Sequence, residues 1–290
     1  MPFPWIWIDQ QDTLDAACDT LSAFDTIAID TEYNSLHYFR EKLCLIQVHS
    51  PRQTYLIDPF AFPSLEPLER IFANPEILKV FHAGDNDIRI IKRDYNCSFH
   101  HIFDTQRAAS LLGHHFLSLE TLIQEYLPVA FKKKKKTQRS RWEVRPLTEE
   151  QLRYASGDTL YLIPLYQALK EELLQKERYD EAQRMFSVVA GATWRDKNFN
   201  PSGYKRLAGY TDLEEHQKRR LKRLYRWRHD KARATDRAAF IIANDALLLD
   251  IARLEPAMAL PSDQTLSRIF PQYLQELIPI LQECAPIKAK

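Results

Sequence analysis

The stretch TIAIDTEYNSL, from Thr26 to Leu36, decides how the first half of this 290-residue chain is interpreted. It is an apolar run typical of a buried strand, and it ends in two carboxylates, Asp30 and Glu32. Because side chains at positions i and i+2 of a strand point to the same face, the two carboxylates project together. Like charges this close repel each other, so an intact site needs a cation or a shared proton. The alternative is that the pair simply ends a strand at the surface.

Two further segments supply acidic side chains that could join this pair. In HAGDND a predicted strand ends and a helix begins, with Asp85 at the N-cap position and Asp87 in the first turn. In YASGD, Tyr154 and Asp158 are four residues apart on a predicted helix and therefore share a face. Each position also has a structural alternative. Asp85 can cap the helix, Asp87 can complement the helix dipole, and Asp158 can be the partner of a Tyr–Asp hydrogen bond.

Together these segments offer carboxylates from three separate elements. Hard oxygen donors without nearby His or Cys suit Mg²⁺ or Mn²⁺ rather than zinc. Two such ions roughly 3.5–4 Å apart form the arrangement used for phosphodiester cleavage. Tyr154 could orient the attacking water, since a tyrosine pKa near 10 makes it a poor outright base. The sequence therefore predicts two divalent metal ions bound by Asp30, Glu32, Asp158 and an aspartate of HAGDND, for which Asp85 and Asp87 are both candidates.

The same motifs carry a resemblance to a known family. IDTE, HAGDND and YASGD resemble the three exonuclease motifs of the DEDD superfamily, and LCLIQ, LIDPF, FDTQRAA and QRSRWEVRPL resemble ribonuclease D. The resemblance implies a ribonuclease-H-like fold, two divalent metal ions, and 3′-5′ hydrolysis that releases nucleoside 5′-monophosphates. Arg153 stands where the sister subclass has histidine, which points to the tyrosine subclass. The catalytic residues that it implies are Asp30, Glu32, Asp87, Tyr154 and Asp158, with Asp85 left as a cap.

Two basic stretches are candidates for nucleic-acid contacts. The first surrounds Trp142 and predicts an exposed loop, with Trp142 itself expected to pack beneath it. The second lies on a tail helix, where a narrow apolar stripe leaves a broad basic face. Such clusters attract backbone phosphates, and the alternatives are a solvated loop and a bundle that only packs on the rest of the chain. The predicted nucleic-acid-binding residues are Lys132, Lys133, Lys134, Lys135, Lys136, Arg139, Arg145, Arg219, Arg223 and Arg226.

The tail also shows a resemblance of its own. LYRWRHDKARATDRAAFIIANDALLLDIARLEP resembles the HRDC domain, a helical module that helicases share with ribonuclease D, which implies nucleic-acid binding. The predicted fold is α/β, with a ribonuclease-H-like exonuclease domain (a mixed sheet flanked by helices) followed by a small all-α HRDC domain. The predicted boundaries are 1–197 for the exonuclease domain, 198–211 for a linker and 212–290 for the HRDC domain.

Composition bears on the protein's partners and cellular compartment, but only weakly. Lys and Arg number 40 against 39 Asp and Glu, so bulk charge neither indicates nor excludes nucleic acid. The four cysteines are scattered without a CxxC pair, which fits reduced thiols rather than a disulfide framework or a zinc site. The start, MPFPWIWIDQ, lacks the basic region of a signal peptide, and no apolar run reaches membrane-spanning length. A cytoplasmic protein without a membrane partner is expected.

The prediction for function is a metal-dependent 3′-5′ exoribonuclease, a monomer that trims structured RNA such as tRNA precursors. A first rival is an exonuclease on DNA or on short oligonucleotides, because the motifs bind phosphates and metals common to both polymers. A second rival is a catalytically inactive nucleic-acid-binding module.

Overall fold

The computed structural model describes residues 4–132, 134–196, 198–254 and 273–283. The predicted contact residue Lys133 lies outside these ranges. The chain divides into two compact units, the first formed by residues up to Asn34 together with Glu41–Arg195, the second by Ser35–Arg40 and the residues from Asp196 onward. None of the helices in the described ranges combines the length and apolar character that crossing a bilayer needs.

The first unit is built on a mixed sheet of six strands in the described chain, in the order β1-β4-β3-β2-β5-β6. Central β2 runs antiparallel to β3 and parallel to β5, and a register shift follows Glu32. This arrangement confirms the predicted α/β fold with a mixed sheet. The strands are β1 (Trp5–Ile8), β2 (Thr26–Asn34), β3 (Lys42–His49), β4 (Thr54–Ile57), β5 (Leu78–Phe81) and β6 (Ile102–Asp104).

Helices flank this sheet, and their ends follow local chemistry. Thr148 and Gln151 form a capping box, a pattern that the spacing of the two residues predicts. The sequence predicts one helix onward to Gln175, but the structure has a break at Tyr161. The cause is Pro164, which has no N–H for the Leu160 carbonyl and whose ring clashes with it. The helices are α1 (Gln11–Leu21), α2 (Glu66–Ala73), α3 (Asp85–Tyr95), α4 (Thr105–Leu112), α5 (Leu119–Tyr126), α6 (Lys135–Gln138), α7 (Glu149–Leu160), α8 (Leu162–Gln175) and α9 (Tyr179–Ala190).

The two faces of the sheet bury different side chains. Ile46 and Val48 of β3 belong to the main core, whereas Leu45 of β3 and Leu56 of β4 pack with Ala155 of α7. Because directly paired residues of neighbouring strands share a face, the register places Asp30 and Glu32 on the face that α7 covers. The alternation of the strands thus brings the first and last acidic motifs together.

The second unit is helical and has its own core. The segment from Ser35 to Arg40 belongs to it, with Phe39 packed against this core and the His37 carbonyl accepting from the Ala238 N–H at 3.0 Å. Tyr204, within the predicted linker, is buried in the same core, and the predicted boundaries stay predictions. The elements are a 3₁₀ turn (Gly203–Arg206), α10 (Glu215–Thr235), α11 (Ala239–Ile242), α12 (Asp245–Arg253) and α13 (Leu274–Glu283).

Candidate active site

Strand β2 presents polar side chains to both of its faces. Asp30 is half-buried and Glu32 is buried, and Asp30 Oδ1 accepts the backbone N–H of Thr31 at 2.9 Å. Thr31 points the other way and donates its hydroxyl to Oδ1 of Asp87. Thr31 therefore connects this strand to α3. The contribution of Thr31 was missed from the sequence, since only the carboxylates on either side of it attract notice.

Asp87 lies in the first turn of α3 and is buried. Burial first, and then the negative charge of Asp30, raise the pKa of Asp87 to about 8. The N-cap position is Gly84, so the expected capping role of Asp85 is wrong. Asp85 instead is the first helical residue and accepts from Arg107 Nη2 at 2.9 Å.

A second buried carboxylate, Asp104, fixes the turn that precedes α3. Its Oδ2 accepts the Gly84 N–H at 2.8 Å, and its Oδ1 caps α4 by accepting the Arg107 N–H at 2.9 Å. Gly84 itself is required by close packing, because a Cβ there would lie 2.7 Å from side-chain atoms of Phe81. Asp104 was missed from the sequence, although an Asp directly before a helical pattern is a recognisable cap signal.

Helix α7 brings the last predicted pair to the same place. Asp158 is 2% exposed, and Tyr154 is half-buried beside it. Burial, followed by the charges of Asp158, Glu32 and Asp30, raises the pKa of Tyr154 far above its usual value. The structure therefore brings Tyr154 next to carboxylates from both β2 and α7, with Asp87 in turn next to Asp30.

The indole ring of Trp142 packs against the Tyr154 ring. The indole is 1% exposed, its centroid lies 5.9 Å from the Tyr154 ring, and its Nε1 donates to the Gln138 carbonyl at 3.1 Å. The expected packing role of Trp142 is confirmed. The basic segment before it is exposed as predicted, but it includes the short helix α6 rather than being entirely a loop.

A cavity of about 630 Å³ opens directly beside Tyr154 and Asp158. This volume is within the range that accommodates small ligands such as a nucleotide. Of the predicted basic residues, Lys132 and Lys134 line it, and Lys134 Nζ forms an exposed ion pair with Glu150 at 3.1 Å. Lys135, Lys136 and Arg139 are exposed nearby in the sequence but do not line the cavity. Its remaining walls are Ala130, Phe131, Glu149, Glu150, Arg153, Gly157 and Tyr161.

Arg145 has a different place from the one predicted. Its Nε and Nη2 each lie 2.7 Å from a carboxylate oxygen of Asp58, and it also donates to the carbonyls of Trp142 and Cys44 at 2.7 Å. These donors are therefore engaged within the first unit. The guanidinium ties the segment after Trp142 to β3 and to the end of β4, and its contact with nucleic acid stays a prediction.

The predicted basic residues of α10 are exposed within the second unit. Arg219, Arg223 and Arg226 are all on the surface of this helix, and Arg226 stacks 4.7 Å from the Phe199 ring centroid. By contrast, Arg220 and Arg228 are buried, and they donate to backbone carbonyls of the same unit. Basic residues of one helix are thus divided between core and surface.

The donor set fits a hard divalent cation, although the ligands do not form a compact group. Asp30, Glu32, Asp87 and Asp158 offer oxygen donors only, which Mg²⁺ and Mn²⁺ prefer. Burial and then the charge of Asp30 raise the pKa of Asp87, and a bound cation would relieve the repulsion between the two carboxylates. Within the described ranges, however, no three His, Cys, Asp or Glu side chains come together as a metal-binding group. One oxygen of Asp30 and one of Asp87 are instead engaged by Thr31.

Comparisons with known proteins agree with this fold. The sequence profile of the 3′-5′ exonuclease family matches residues 5–174, and that of the HRDC domain matches residues 217–259. Ribonuclease D of Shewanella sp. is 32% identical over 255 residues, 86% of this chain and 64% of that protein. Among the curated relatives it matches, the chain spans between 29% and 67% of their length.

Two solved structures are similar over almost the whole chain. The catalytic core of RRP6 from Trypanosoma brucei has a TM-score of 0.87 at 24% identity and covers 97% of this chain and 80% of that one, which bears on the fold alone. Escherichia coli RNase D, described as an exoribonuclease involved in structured RNA processing, has a TM-score of 0.70 at 26% identity. That match covers 97% of this chain and 75% of the other.

Proposed function

The chain belongs to the 3′-5′ exonuclease family, and from this membership we propose that it is a metal-dependent 3′-5′ exoribonuclease. It removes nucleotides from the 3′ end of RNA and releases nucleoside 5′-monophosphates. The residues assigned to two divalent metal ions, Mg²⁺ or Mn²⁺, are Asp30, Glu32, Asp87 and Asp158.

One observation carries the proposal. Carboxylates from β2 and α7 are close enough to shift the pKa of Tyr154, and Asp30 in turn shifts that of Asp87 on α3. Clustering like charges in a largely buried place destabilises the fold unless something compensates them. A structural role does not need a tyrosine among carboxylates of two elements beside a nucleotide-sized cavity that Tyr154 and Asp158 line, whereas phosphodiester hydrolysis does.

The side chains have separable tasks in this proposal. The four carboxylates would hold two divalent ions, whose charge would lower the pKa of a water and stabilise the leaving 3′-oxygen. Burial and the neighbouring carboxylates raise the pKa of Tyr154, which favours a role in positioning the water by hydrogen bonding over a role as a base. Lys132 and Lys134 in the cavity wall attract the phosphates of the substrate.

The proposed substrates are structured RNAs such as tRNA precursors. The similar Escherichia coli RNase D is described as acting in structured RNA processing, which supports this class for the present chain. The exposed arginines of α10 would add electrostatic attraction that a very short oligonucleotide cannot use. Recognition of RNA over DNA would rest on contacts to the 2′-hydroxyl.

The test follows 5′-labelled single-stranded RNA and DNA of one sequence on a denaturing gel, with Mg²⁺, Mn²⁺ or EDTA. A metal-dependent ladder that shortens from the 3′ end of RNA, with DNA largely spared, is expected. Asp30→Asn should abolish the ladder and keep RNA binding. Asp85→Asn is the matched control, because it removes a nearby charge that pairs with Arg107 and should leave cleavage intact.

Other outcomes would change the conclusion. Equal ladders on RNA and DNA would indicate a general exonuclease. A protein that binds RNA but gives no ladder with either metal would be an inactive binding module, and the proposal would be wrong.

A further inference from the structure

A row of four directly paired residues crosses the sheet beneath α7. Trp7 of β1 pairs with Leu56 of β4, Leu56 with Gln47 of β3, and Gln47 with Asp30 of β2. Directly paired side chains share a face, so all four lie on the side where Leu56 packs with Ala155 of α7. The row runs from apolar to charged, and Gln47 is the residue between the apolar part and the candidate metal ligand.

Gln47 is fully buried and both polar atoms of its carboxamide lack a hydrogen-bond partner in the described part of the chain. An unsatisfied buried polar group costs about 1–3 kcal/mol, so a Gln at this position calls for a functional reason. A Leu or Met would fill the same space without that cost. Thr159, one helical turn beyond Ala155 on α7, also has a buried hydroxyl that lacks a hydrogen-bond partner among the described residues. The unsatisfied polar groups of Gln47 and Thr159 therefore belong to β3 and α7, the elements that pack beside the carboxylates.

The geometry points to Gln47 as a positioning residue for Asp30. We propose that its carboxamide Nε2 donates to the Asp30 carboxylate and holds it in the orientation that binds a divalent cation. Cβ atoms of directly opposed residues are about 4.5–5.5 Å apart, a distance that the longer glutamine side chain spans. The Thr31 N–H already holds Oδ1 of Asp30, so two donors would fix the carboxylate from two sides. This inference rests on the proposed metal-dependent function.

The test measures Mn²⁺ affinity by calorimetry without RNA, and thermal unfolding in EDTA, for wild type and Gln47→Met. Methionine keeps the volume and removes the unsatisfied amide, so the unfolding temperature should stay equal or rise. Mn²⁺ affinity should fall ten- to a hundredfold, the usual effect of removing a group that orients a metal ligand. The exposed Gln183→Met is the matched control and should change neither quantity.

The outcomes separate this inference from the function it rests on. Wild-type Mn²⁺ binding that is lost in Asp30→Asn but unchanged in Gln47→Met would overturn the role of Gln47 and leave the metal site standing. Absence of Mn²⁺ binding in the wild type would overturn both. If Gln47→Met does not fold, Gln47→Asn keeps the amide but shortens its reach, and it should weaken Mn²⁺ binding in the same range; unchanged binding there would equally refute the inference.

Discussion

Replacing Arg145 decides between its predicted contact with nucleic acid and the internal role that the structure gives it. The side chains of Arg145 and Asp58 are 24% and 10% exposed, and Arg145→Met would leave the Asp58 carboxylate and two carbonyls without their donor. Removing one partner of a buried ion pair costs about 3–5 kcal/mol, and the partial exposure of Arg145 reduces this to about 3 kcal/mol. For a unit of this size, that corresponds to a fall of roughly 6–12 °C in unfolding temperature.

The assay pairs thermal unfolding with the salt dependence of RNA binding measured well below the transition. Arg145→Met should leave the slope of log K against log salt unchanged, since each phosphate contact on a single strand contributes about 0.7. The exposed Arg139→Met is the matched control, with an unfolding temperature that stays close to wild type. An Arg145→Met protein of wild-type stability with a slope reduced by about 0.7 would refute the internal role. Combining Arg145→Met with Asp58→Asn should cost less than the sum of the two, because the pair is removed together.

Three further predictions address catalysis, pH and the tail. Tyr154→Phe should lower kcat about a hundredfold, because the hydroxyl that positions the water is lost. Mn²⁺ affinity and the alkaline side of the pH–rate profile should stay as in wild type, because the raised pKa of Tyr154 argues against a role as a base. A shifted alkaline limb would make Tyr154 a base. Burial lowers the pKa of His49 to about 4, so as pH falls the unfolded chain protonates this histidine before the folded chain does. The free energy of unfolding should therefore fall by about 2–3 kcal/mol as pH drops from 6.5 to 4. Denaturant unfolding of His49→Gln should show a flatter pH dependence, and an unchanged one would contradict the assignment. Neutralising three exposed arginines of α10 together should weaken binding to tRNA-sized RNA and spare hydrolysis of a short oligonucleotide. An equal loss of activity on the two substrates would instead indicate that these arginines have a structural role. The three substitutions are Arg219→Gln, Arg223→Gln and Arg226→Gln.

The parts of the fold that periodicity and caps determine were predictable. The alternation of TIAID and the spacing of Tyr154 and Asp158 each follow from the geometry of one element, so the faces of β2 and α7 could be assigned without tertiary information. The capping box at Thr148 is equally local. The break at Tyr161 was missed because helices tolerate proline in their first turn. Pro164 therefore did not show by itself that a new helix begins just before it.

The partners of charged residues were not predictable from sequence. Arg145 lies in a basic run, and only the tertiary contact with Asp58, far away in the chain, distinguishes it from Lys134 in the cavity wall. Asp104 and Thr31 act through hydrogen bonds to other elements, which a single sequence does not reveal. Gln47 is ordinary in its own strand and becomes notable only through the register that pairs it with Asp30.

The segment from Ser35 to Arg40 has a consequence for how the chain is made. It lies between β2 and β3 of the first unit, yet Phe39 packs with the core of the second, whose other residues begin at Asp196. At about 5–20 residues per second, a ribosome would present this segment roughly ten to thirty seconds before its partners. During that interval the Phe39 ring is an apolar side chain without its packing site, a target for chaperones or for premature association. A chain cut before Asp196 would keep that condition permanently, so dissection of this protein into halves should be planned with Phe39 in mind.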